Sequence, residues 1–336
     1  MARHRGRSEN VADPRSRRVR LLAADDTAQA AAWVIRDLPV SRALATALPK
    51  SLKRLIGDET LRGICVEEVS GKRGARRLAA VGVSGFLSDA CVSSFLAAPF
   101  PHFEVVLLER ARVSGSGPGL LGIHEVAEAN AGAGLTLYPL FWLHHSNEIS
   151  AEESNALRSL GQQGFLRVHR GYHLKCILKE ADAGLGASYA SGGFRERRRL
   201  PAGMPLALVE GASKTERIVF MTTAEDIKRA LPGTAIGPLF DFTPPRCAFT
   251  RNQQKILEAA VNNMTDREIG TLLGTNANAV AQHWRKIYLR VERELPFVFD
   301  GLAAGEGTRG HEKRRRVVSY IADHMEELRP YAWRPA

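Results

Sequence analysis

A stretch near the carboxyl end of the chain carries polar side chains at helical spacing. Its apolar stripe consists of Val280, Trp284 and Ile287. The opposite side carries amides and a guanidinium, on Asn276, Asn278, Gln282 and Arg285. Amides pair with adenine edges, and arginine pairs with guanine edges or phosphates, so these residues are predicted to read the bases of DNA. His283, Lys286 and Arg290 are predicted to contact the phosphate backbone, and Thr265 completes the predicted DNA-binding set.

Local capping signals divide this region into short helices. Thr250 begins the first predicted helix, and Thr265 with Glu268 forms the T-x-x-E capping box of the second. Gly274 ends the second helix, and Asn276 can cap the third, which carries the polar side described above. Two short helices joined by a tight turn containing glycine are typical of the helix-turn-helix that binds DNA.

The same region resembles the DNA-binding domain of LuxR/GerE-type regulators over residues 249–291, without a gap. The matching positions are Thr250, Leu257, Thr265, Glu268, Ile269, Leu273, Val280, His283, Ile287 and Tyr288. Gln253, Ala279 and Ala281 depart from the family pattern, so base contacts must use other side chains. The resemblance implies a sequence-specific promoter-binding protein whose partner is double-stranded DNA. It also implies a homodimer and contact with RNA polymerase, and a sigma-factor-like promoter-recognition protein is one alternative.

A second candidate site lies in the middle of the chain, at the end of a strand predicted over 104–113 from its apolar run Val105–Leu108. The segment 112–117 reads R-V-S-G-S-G and resembles the loop of GNAT-type acetyltransferases that holds the pyrophosphate of acetyl-CoA. Arg112, Gly115 and Gly117 are therefore candidate cofactor-binding residues, and a mobile loop is the other interpretation. An acetyltransferase-like enzyme fused to a DNA-targeting helix-turn-helix is accordingly the other alternative function.

Histidines and a serine are weaker candidates for chemistry. A long helix is predicted over 152–181, with Gly164 and Gly171 as weak points. His169 and His173 have helical spacing within it, but no H-E-x-x-H motif or neighbouring carboxylate completes a metal site. The paired His144 and His145 end an apolar strand, and Ser84 lacks the G-x-S-x-G elbow of hydrolases. We therefore expect no metal site, no resident cofactor and no catalytic residue, and we predict that the protein is not an enzyme.

Composition and charge fit a globular protein that binds a polyanion. Hydrophobic residues make up 44% of the 336 residues, charged residues 25%, and the net charge is +11. Residues 1–24 are rich in arginine and are predicted to form a disordered basic tail. No apolar run reaches the ~20 residues that cross a bilayer. The four cysteines lie far apart, as is typical of reduced thiols, so we expect a cytoplasmic protein without a membrane partner.

The order of patterns along the chain predicts its domains. Residues 25–231 are expected to form an α/β sensory domain for an unidentified small-molecule effector, and 232–247 a Pro/Gly linker. Residues 248–295 are the predicted helix-turn-helix domain, and 296–336 a loop and a helix that either joins two copies or packs on its own domain. The expected fold class is a mixed α/β (or α+β) sensory domain followed by an all-α helix-turn-helix domain. Transcription regulation is the expected function.

Overall fold

A computed structural model describes residues 16–70, 75–114, 119–146, 148–230, 233–262, 264–301 and 309–333. Its strands are β1 (Ser16–Leu21), β2 (Leu61–Ser70), β3 (Ala75–Leu87), β4 (Leu135–His144), β5 (Leu174–Asp182), β6 (Glu196–Leu200) and β7 (Arg217–Thr223). They form a seven-stranded sheet in the order β1-β2-β3-β4-β5-β7-β6. Neighbouring strands are antiparallel except β4 and β5, which run parallel.

Four helices cover one face of the sheet. They are α1 (Thr27–Asp37), α2 (Arg42–Gly57), α3 (Asp89–Ala97) and α4 (Phe103–Ser114). These helices pack on the sheet through apolar faces. In α2 that face is a stripe at most 1% exposed, formed by Leu44, Leu48, Leu52 and Leu55. The largest hydrophobic core lies between these helices and the sheet.

The opposite face is covered by α5 (Ile123–Ala131) and α6 (Ala151–His169). Two short helices, α7 (Gly186–Ser191) and α8 (Ala224–Lys228), lie further along the chain. Glycines let α6 approach the sheet closely. A Cβ atom on Gly161 would lie 2.4 Å from Cη2 of Trp142, and one on Gly164 would lie 2.5 Å from Cγ1 of Val19. No helix in the described part of the chain is long and apolar enough to cross a membrane.

The carboxyl-terminal helices are α9 (Arg251–Val261), α10 (Asp266–Leu272), α11 (Ala277–Glu294) and α12 (Arg309–Asp323). The predicted caps are present: the side chains of Thr250, Thr265 and Asn276 each accept a hydrogen bond from a backbone N–H three residues on. The predicted apolar stripe is also buried, with Trp284 only 3% exposed. These helices share a second hydrophobic core.

Buried ion pairs join the carboxyl-terminal helices to the rest of the chain. Glu258 of α9 accepts hydrogen bonds from Arg62 of β2 at 2.5 Å and from Arg329 at 3.3 Å. Arg329 is fully buried and also donates to the carbonyl oxygens of Arg167 and Arg170 at the end of α6, at 3.0 and 2.7 Å. These contacts hold the two parts of the chain in one arrangement.

The predicted fold class is therefore wrong. The structure is a mixed seven-stranded sheet flanked by helices, and its carboxyl-terminal helices are docked through buried charges instead of forming an independent helix-turn-helix domain. The predicted linker 232–247 is not a free spacer in its described part, because Ile236 and Leu239 are buried in a core cluster.

Three local predictions were also wrong. Residues 16–21, assigned to a disordered tail, form β1 and pair with β2, whereas 1–15 lie outside the described residues. The predicted strand over 104–113 belongs to helix α4. Residues 174–181, predicted as the end of the long helix, lie in β5, because the chain turns at Gly171 with φ +82°.

Candidate active site in the gap between two parallel strands

Strands β4 and β5 pair only at their first residues and then separate. Their ladder joins Leu135 to Leu174 and ends at Leu137 and Ile177, although β4 continues to His144 and β5 to Asp182. Beyond Leu137 the described residues of β4 have no strand-pairing partner on β5. The sheet therefore contains a gap that opens from its centre towards the carboxyl ends of both strands.

Charged side chains crowd the point where the strands separate. Glu104, Lys179 and Glu180 are 2%, 7% and 0% exposed. Arg217 of β7 lies between the carboxylates: its Nε donates to Glu180 Oε1, and its Nη2 lies 3.7 Å from Glu104 Oε1. The hydroxyl of Tyr138, the first residue of β4 beyond the ladder, donates to Glu104 Oε2 at 3.5 Å. Buried charges persist only when they are paired in this way.

The start of helix α4 is fixed by this cluster. The second carboxylate oxygen of Glu180 accepts hydrogen bonds from the backbone N–H groups of His102 at 3.0 Å and Phe103 at 3.4 Å. A carboxylate at a helix start satisfies N–H groups that have no partner within the helix. Glu180 therefore positions His102 and Glu104 relative to the gap.

His102 and Glu104 form a pair suited to proton transfer. His102 Nδ1 lies 3.3 Å from Glu104 Oε1, so the carboxylate can orient the ring and leave Nε2 as the proton acceptor. His102 also has φ +60°, a left-handed conformation that is uncommon for a residue other than glycine. Such backbone strain concentrates at functional sites, where the surrounding structure maintains it.

The protonation states within the cluster are strongly perturbed. Burial opposes ionisation of Glu104, but the hydrogen bond from His102 and the charges of Lys179 and Arg217 lower its pKa to about 2. Burial and the charge of Glu104 raise the pKa of Glu180. Burial, reinforced by Glu104, also raises the pKa of Tyr138 well above its usual value, so this hydroxyl keeps its proton. Neighbouring groups with pKa values pushed apart are typical of acid–base sites.

A groove of about 570 Å³ lies at the far end of β4, next to the start of α6. Its polar lining comprises Asp37, His144, Ser146, Ser154, Asn155 and Arg158. Arg36 of α1 fixes this end of the strand by donating to the carbonyl oxygens of His144 at 2.7 Å and His145 at 3.0 Å. The gap and this groove lie along the same strand.

The predicted pyrophosphate loop has a different setting from the one expected. Arg112 lies in the last turn of helix α4 and forms an ion pair with Glu109 at 2.7 Å, so the loop does not follow a strand. Gly115 and Gly117 lie outside the described residues.

The predicted DNA-binding residues lie on the carboxyl-terminal helices, away from the gap. Three of them are engaged within the chain: Thr265 and Asn276 cap helices, and Arg290 donates to the carbonyl oxygens of Cys247 and Ala248. The others are exposed or half-buried, at Asn278, Gln282, His283, Arg285 and Lys286. No contact in the structure tests DNA, RNA polymerase, an effector or a second copy as partners, so these stay predictions.

The weaker candidates do not assemble into a site. Ser84 and His169 are brought together, with Oγ and Nε2 at 2.7 Å, but both are at most 3% exposed. His173 stacks on Phe242, and no group of three potential metal ligands occurs in the described ranges. The structure therefore encloses the Ser84–His169 pair in the core instead of presenting it.

Sequence reasoning missed every residue of the cluster. His102, Glu104, Tyr138, Lys179, Glu180 and Arg217 come from four elements and one turn spread over more than a hundred positions. One local signal was present, since Lys179 and Glu180 directly follow the apolar run Cys176–Leu178 and precede Ala181. Charges inside a buried strand are expensive and therefore indicate either a structural ion pair or a functional site.

No protein-family model matches the chain, and no curated protein matches it. Solved structures do match. The N-acyl amino acid synthase FeeM from uncultured soil microbes has a TM-score of 0.36 and 12% identity, over 68% of this chain and 99% of its own. NAA60 of Arabidopsis thaliana in complex with acetyl-CoA has a TM-score of 0.36 and 11% identity, over 62% and 98%. The spermidine N-acetyltransferase of Vibrio cholerae has a TM-score of 0.35 and 10% identity, over 64% and 98%.

These similar structures contradict our main functional prediction. They are named for acyl or acetyl transfer or contain acetyl-CoA, so the prediction of a DNA-binding transcription regulator and the prediction that the protein is not an enzyme are both corrected. The resemblance of residues 249–291 to LuxR/GerE-type domains is not tested by them and stays a prediction. Similarity at these TM-scores assigns no activity to this chain, and the function proposed below rests on the geometry of the gap.

Proposed function

We propose that the protein is an N-acyltransferase that takes its acyl group from a thioester such as an acyl-CoA. The observation that carries this proposal is the gap between the parallel strands β4 and β5, with the His102–Glu104 pair and the charged cluster at its inner end. The gap supplies a place for an extended donor, and the cluster supplies the proton chemistry that amide formation needs.

Strand β4 offers an open edge to the donor. An extended chain can add to such an edge through main-chain hydrogen bonds, as in β-strand addition. The arm of an acyl-CoA carries amides that can pair in this way and ends in a thioester. The polar groove at the far end of β4, with Ser146, Asn155 and Arg158, suits the phosphate groups at the other end of the donor.

Transfer to an amine needs a proton acceptor, because an ammonium group has no free electron pair to attack the thioester carbonyl. His102 Nε2 is the proposed acceptor, with Glu104 holding the ring through Nδ1. The amine nitrogen then bonds to the carbonyl carbon, the carbon–sulfur bond breaks, and the thiolate takes up a proton. Tyr138 keeps its hydroxyl proton, which in this structure is donated to Glu104 Oε2; turned towards the thioester, the same hydroxyl would donate to the negative charge that develops.

The test measures donor binding and turnover separately on the full chain. Thermal unfolding is recorded with acetyl-CoA, octanoyl-CoA and palmitoyl-CoA, and free thiol release is measured with an amino acid, spermidine or a short peptide as acceptor. We expect at least one donor to raise the melting temperature and one donor–acceptor pair to release thiol. If no donor stabilises the protein and no pair releases thiol, the proposal is wrong.

A matched pair of histidine variants locates the chemistry. His102→Asn should lower the rate of thiol release by about 10²–10⁴-fold, the usual contribution of a general base, and leave the donor-induced rise in melting temperature in place. His124→Asn is the control, because His124 lies exposed on α5. Equal rates for the two variants would exclude His102 as the proton acceptor.

A cytoplasmic location is part of this proposal. It is supported by Cys65, Cys91, Cys176 and Cys247, which are all free and buried, as thiols in a reducing compartment commonly are. Fractionation of cells that express the full chain from its own promoter tests it.

A further inference from the structure

Lys179 is the one amine of the charged cluster, and the proposed reaction does not use it. Its Nζ donates a hydrogen bond to the carbonyl oxygen of Leu140 at 2.8 Å, across the gap from β5 to β4. The same atom lies 5.4 Å from the centre of the Tyr138 ring. Lys179 therefore occupies the space between the separated strands and binds the strand edge that the donor would use.

The surroundings of Lys179 favour its uncharged form more than water does. Burial lowers its pKa, an effect that Arg217 reinforces and the carboxylates of Glu104 and Glu180 oppose. The other titratable groups that interact with the cluster include Tyr138, His102, Tyr189 and Asp182. An uncharged amine is a nucleophile, and each unit by which a lysine pKa falls raises the uncharged fraction at neutral pH about tenfold.

A donor that pairs with β4 must pass this amine. Leu140 lies on the open edge beyond the ladder, and its carbonyl oxygen is already bonded to Lys179. An extended thioester that takes up hydrogen bonds along that edge must displace Nζ from Leu140, which leaves the amine beside the donor. We propose that Lys179 is itself an acyl acceptor, so that the protein acylates its own gap; this inference rests on the function proposed above.

The step balances without any further reactant. Nζ of uncharged Lys179 attacks the thioester carbonyl carbon, a nitrogen–carbon bond forms and the carbon–sulfur bond breaks. The proton lost from nitrogen passes to one of the facing carboxylates, Glu104 or Glu180, and from there to the departing thiolate. The product amide keeps one N–H for Leu140. Unlike the lysine amine, it cannot be protonated to a positive charge, and its acyl group fills the gap. Self-acylation thus closes the site to further donor.

The test measures the increase in mass that acylation causes in the full chain at neutral pH. The protein is incubated with acetyl-CoA, octanoyl-CoA or palmitoyl-CoA, and the modified lysines are located by proteolysis and mass spectrometry. Lys175 is the internal control, since it lies on the same strand, is partly exposed and pairs with Asp89 at 2.6 Å. We expect Lys179 to gain one acyl group per chain, and to gain it faster than Lys175 does.

Variants confirm the position and keep the outcomes distinct. Lys179→Arg keeps the positive charge and cannot form the amide, so it should abolish the fast mass gain, whereas Lys175→Arg should leave it unchanged. Peptide mapping of the chain with its natural sequence gives the site of acylation without relying on either variant. If a donor raises the melting temperature and drives thiol release to an added amine, but Lys179 is not acylated faster than Lys175, self-acylation is refuted and the proposed function stands. If no donor binds at all, both proposals fail.

Discussion

Replacing Glu258 by glutamine should loosen the docking of the carboxyl-terminal helices. Glu258 is 7% exposed and faces Arg62 at 2.5 Å and the fully buried Arg329 at 3.3 Å. Glutamine keeps the shape but not the charge, so two buried guanidinium groups lose their shared counter-charge. Removing one partner of a buried ion pair costs about 3–5 kcal/mol. Glu59 lies 3.9 Å from Arg62 and offsets part of this loss, so we expect about 3 kcal/mol.

The assay is urea unfolding of the full chain, followed by tryptophan fluorescence and far-ultraviolet circular dichroism. Glu292→Gln is the control, because Glu292 is 56% exposed and lies 3.8 Å from its partner Lys313, where the change should stay within about 0.5 kcal/mol. Equal midpoints for the two variants would show that the buried ion pairs do not hold the helices in place.

The pH dependence of the same variant gives an independent check. Burial opposes ionisation of Glu258, but the charges of Arg62, Arg329 and Arg251 lower its pKa below the ordinary value. A lowered carboxylate pKa contributes stability above the unfolded-state value, about 4.3 for glutamate, and that contribution is lost as pH falls through the folded-state value. The stability difference between the natural chain and Glu258→Gln should therefore be full at pH 7 and shrink below about pH 4. A difference that grows on acidification would contradict the assignment.

Two further changes test packing. Gly161→Ala places a Cβ 2.4 Å from Trp142 and should cost about 1–3 kcal/mol in urea unfolding, whereas Gly57→Ala meets nothing within 4 Å and should not destabilise the chain; similar midpoints would mean that α6 can move away. Trp284→Ala removes a side chain that is 3% exposed and whose Nε1 donates to Asp266 at 3.2 Å, so thermal unfolding should show a loss of about 3–5 kcal/mol, and an unchanged melting curve would refute the packing of α11.

The carboxyl-terminal helices were predictable because their signals are local. A helix cap and its bonding partner lie only three positions apart. Thr265 and Glu268 therefore predict the start of α10 without any knowledge of the fold. The stripe of Val280, Trp284 and Ile287 likewise follows from the helical period alone. The contacts that dock these helices join residues far apart in the sequence. No local pattern predicts that Arg62 and Arg329 share Glu258 as their partner.

Helix α4 and strand β5 were misassigned because their environments override local preference. The run Val105–Leu108 has the apolar, β-branched character of a buried strand. In the structure it is part of a helix whose four side chains at these positions are all buried, so the helix has no polar face here that the sequence could reveal. Strand β5 continues the apolar spacing of α6, so only Gly171 marks the change of structure. The candidate site depends on both elements, since Glu104 lies on the first and Glu180 on the second.

Helix α6 has a consequence for how the chain can vary in length. Its first residues line the groove at the end of β4, and the carbonyl oxygens of Arg167 and Arg170 at its other end hold Arg329. At 1.5 Å per residue its 19 residues span about 28 Å, and each inserted residue would turn one end by about 100° relative to the other. Insertions and deletions within α6 would therefore separate the groove from the docked helices. The mostly exposed tip of the connection between β6 and β7, residues 205–212, has no such constraint. Sequence variation in length should accumulate in that connection and be absent from α6.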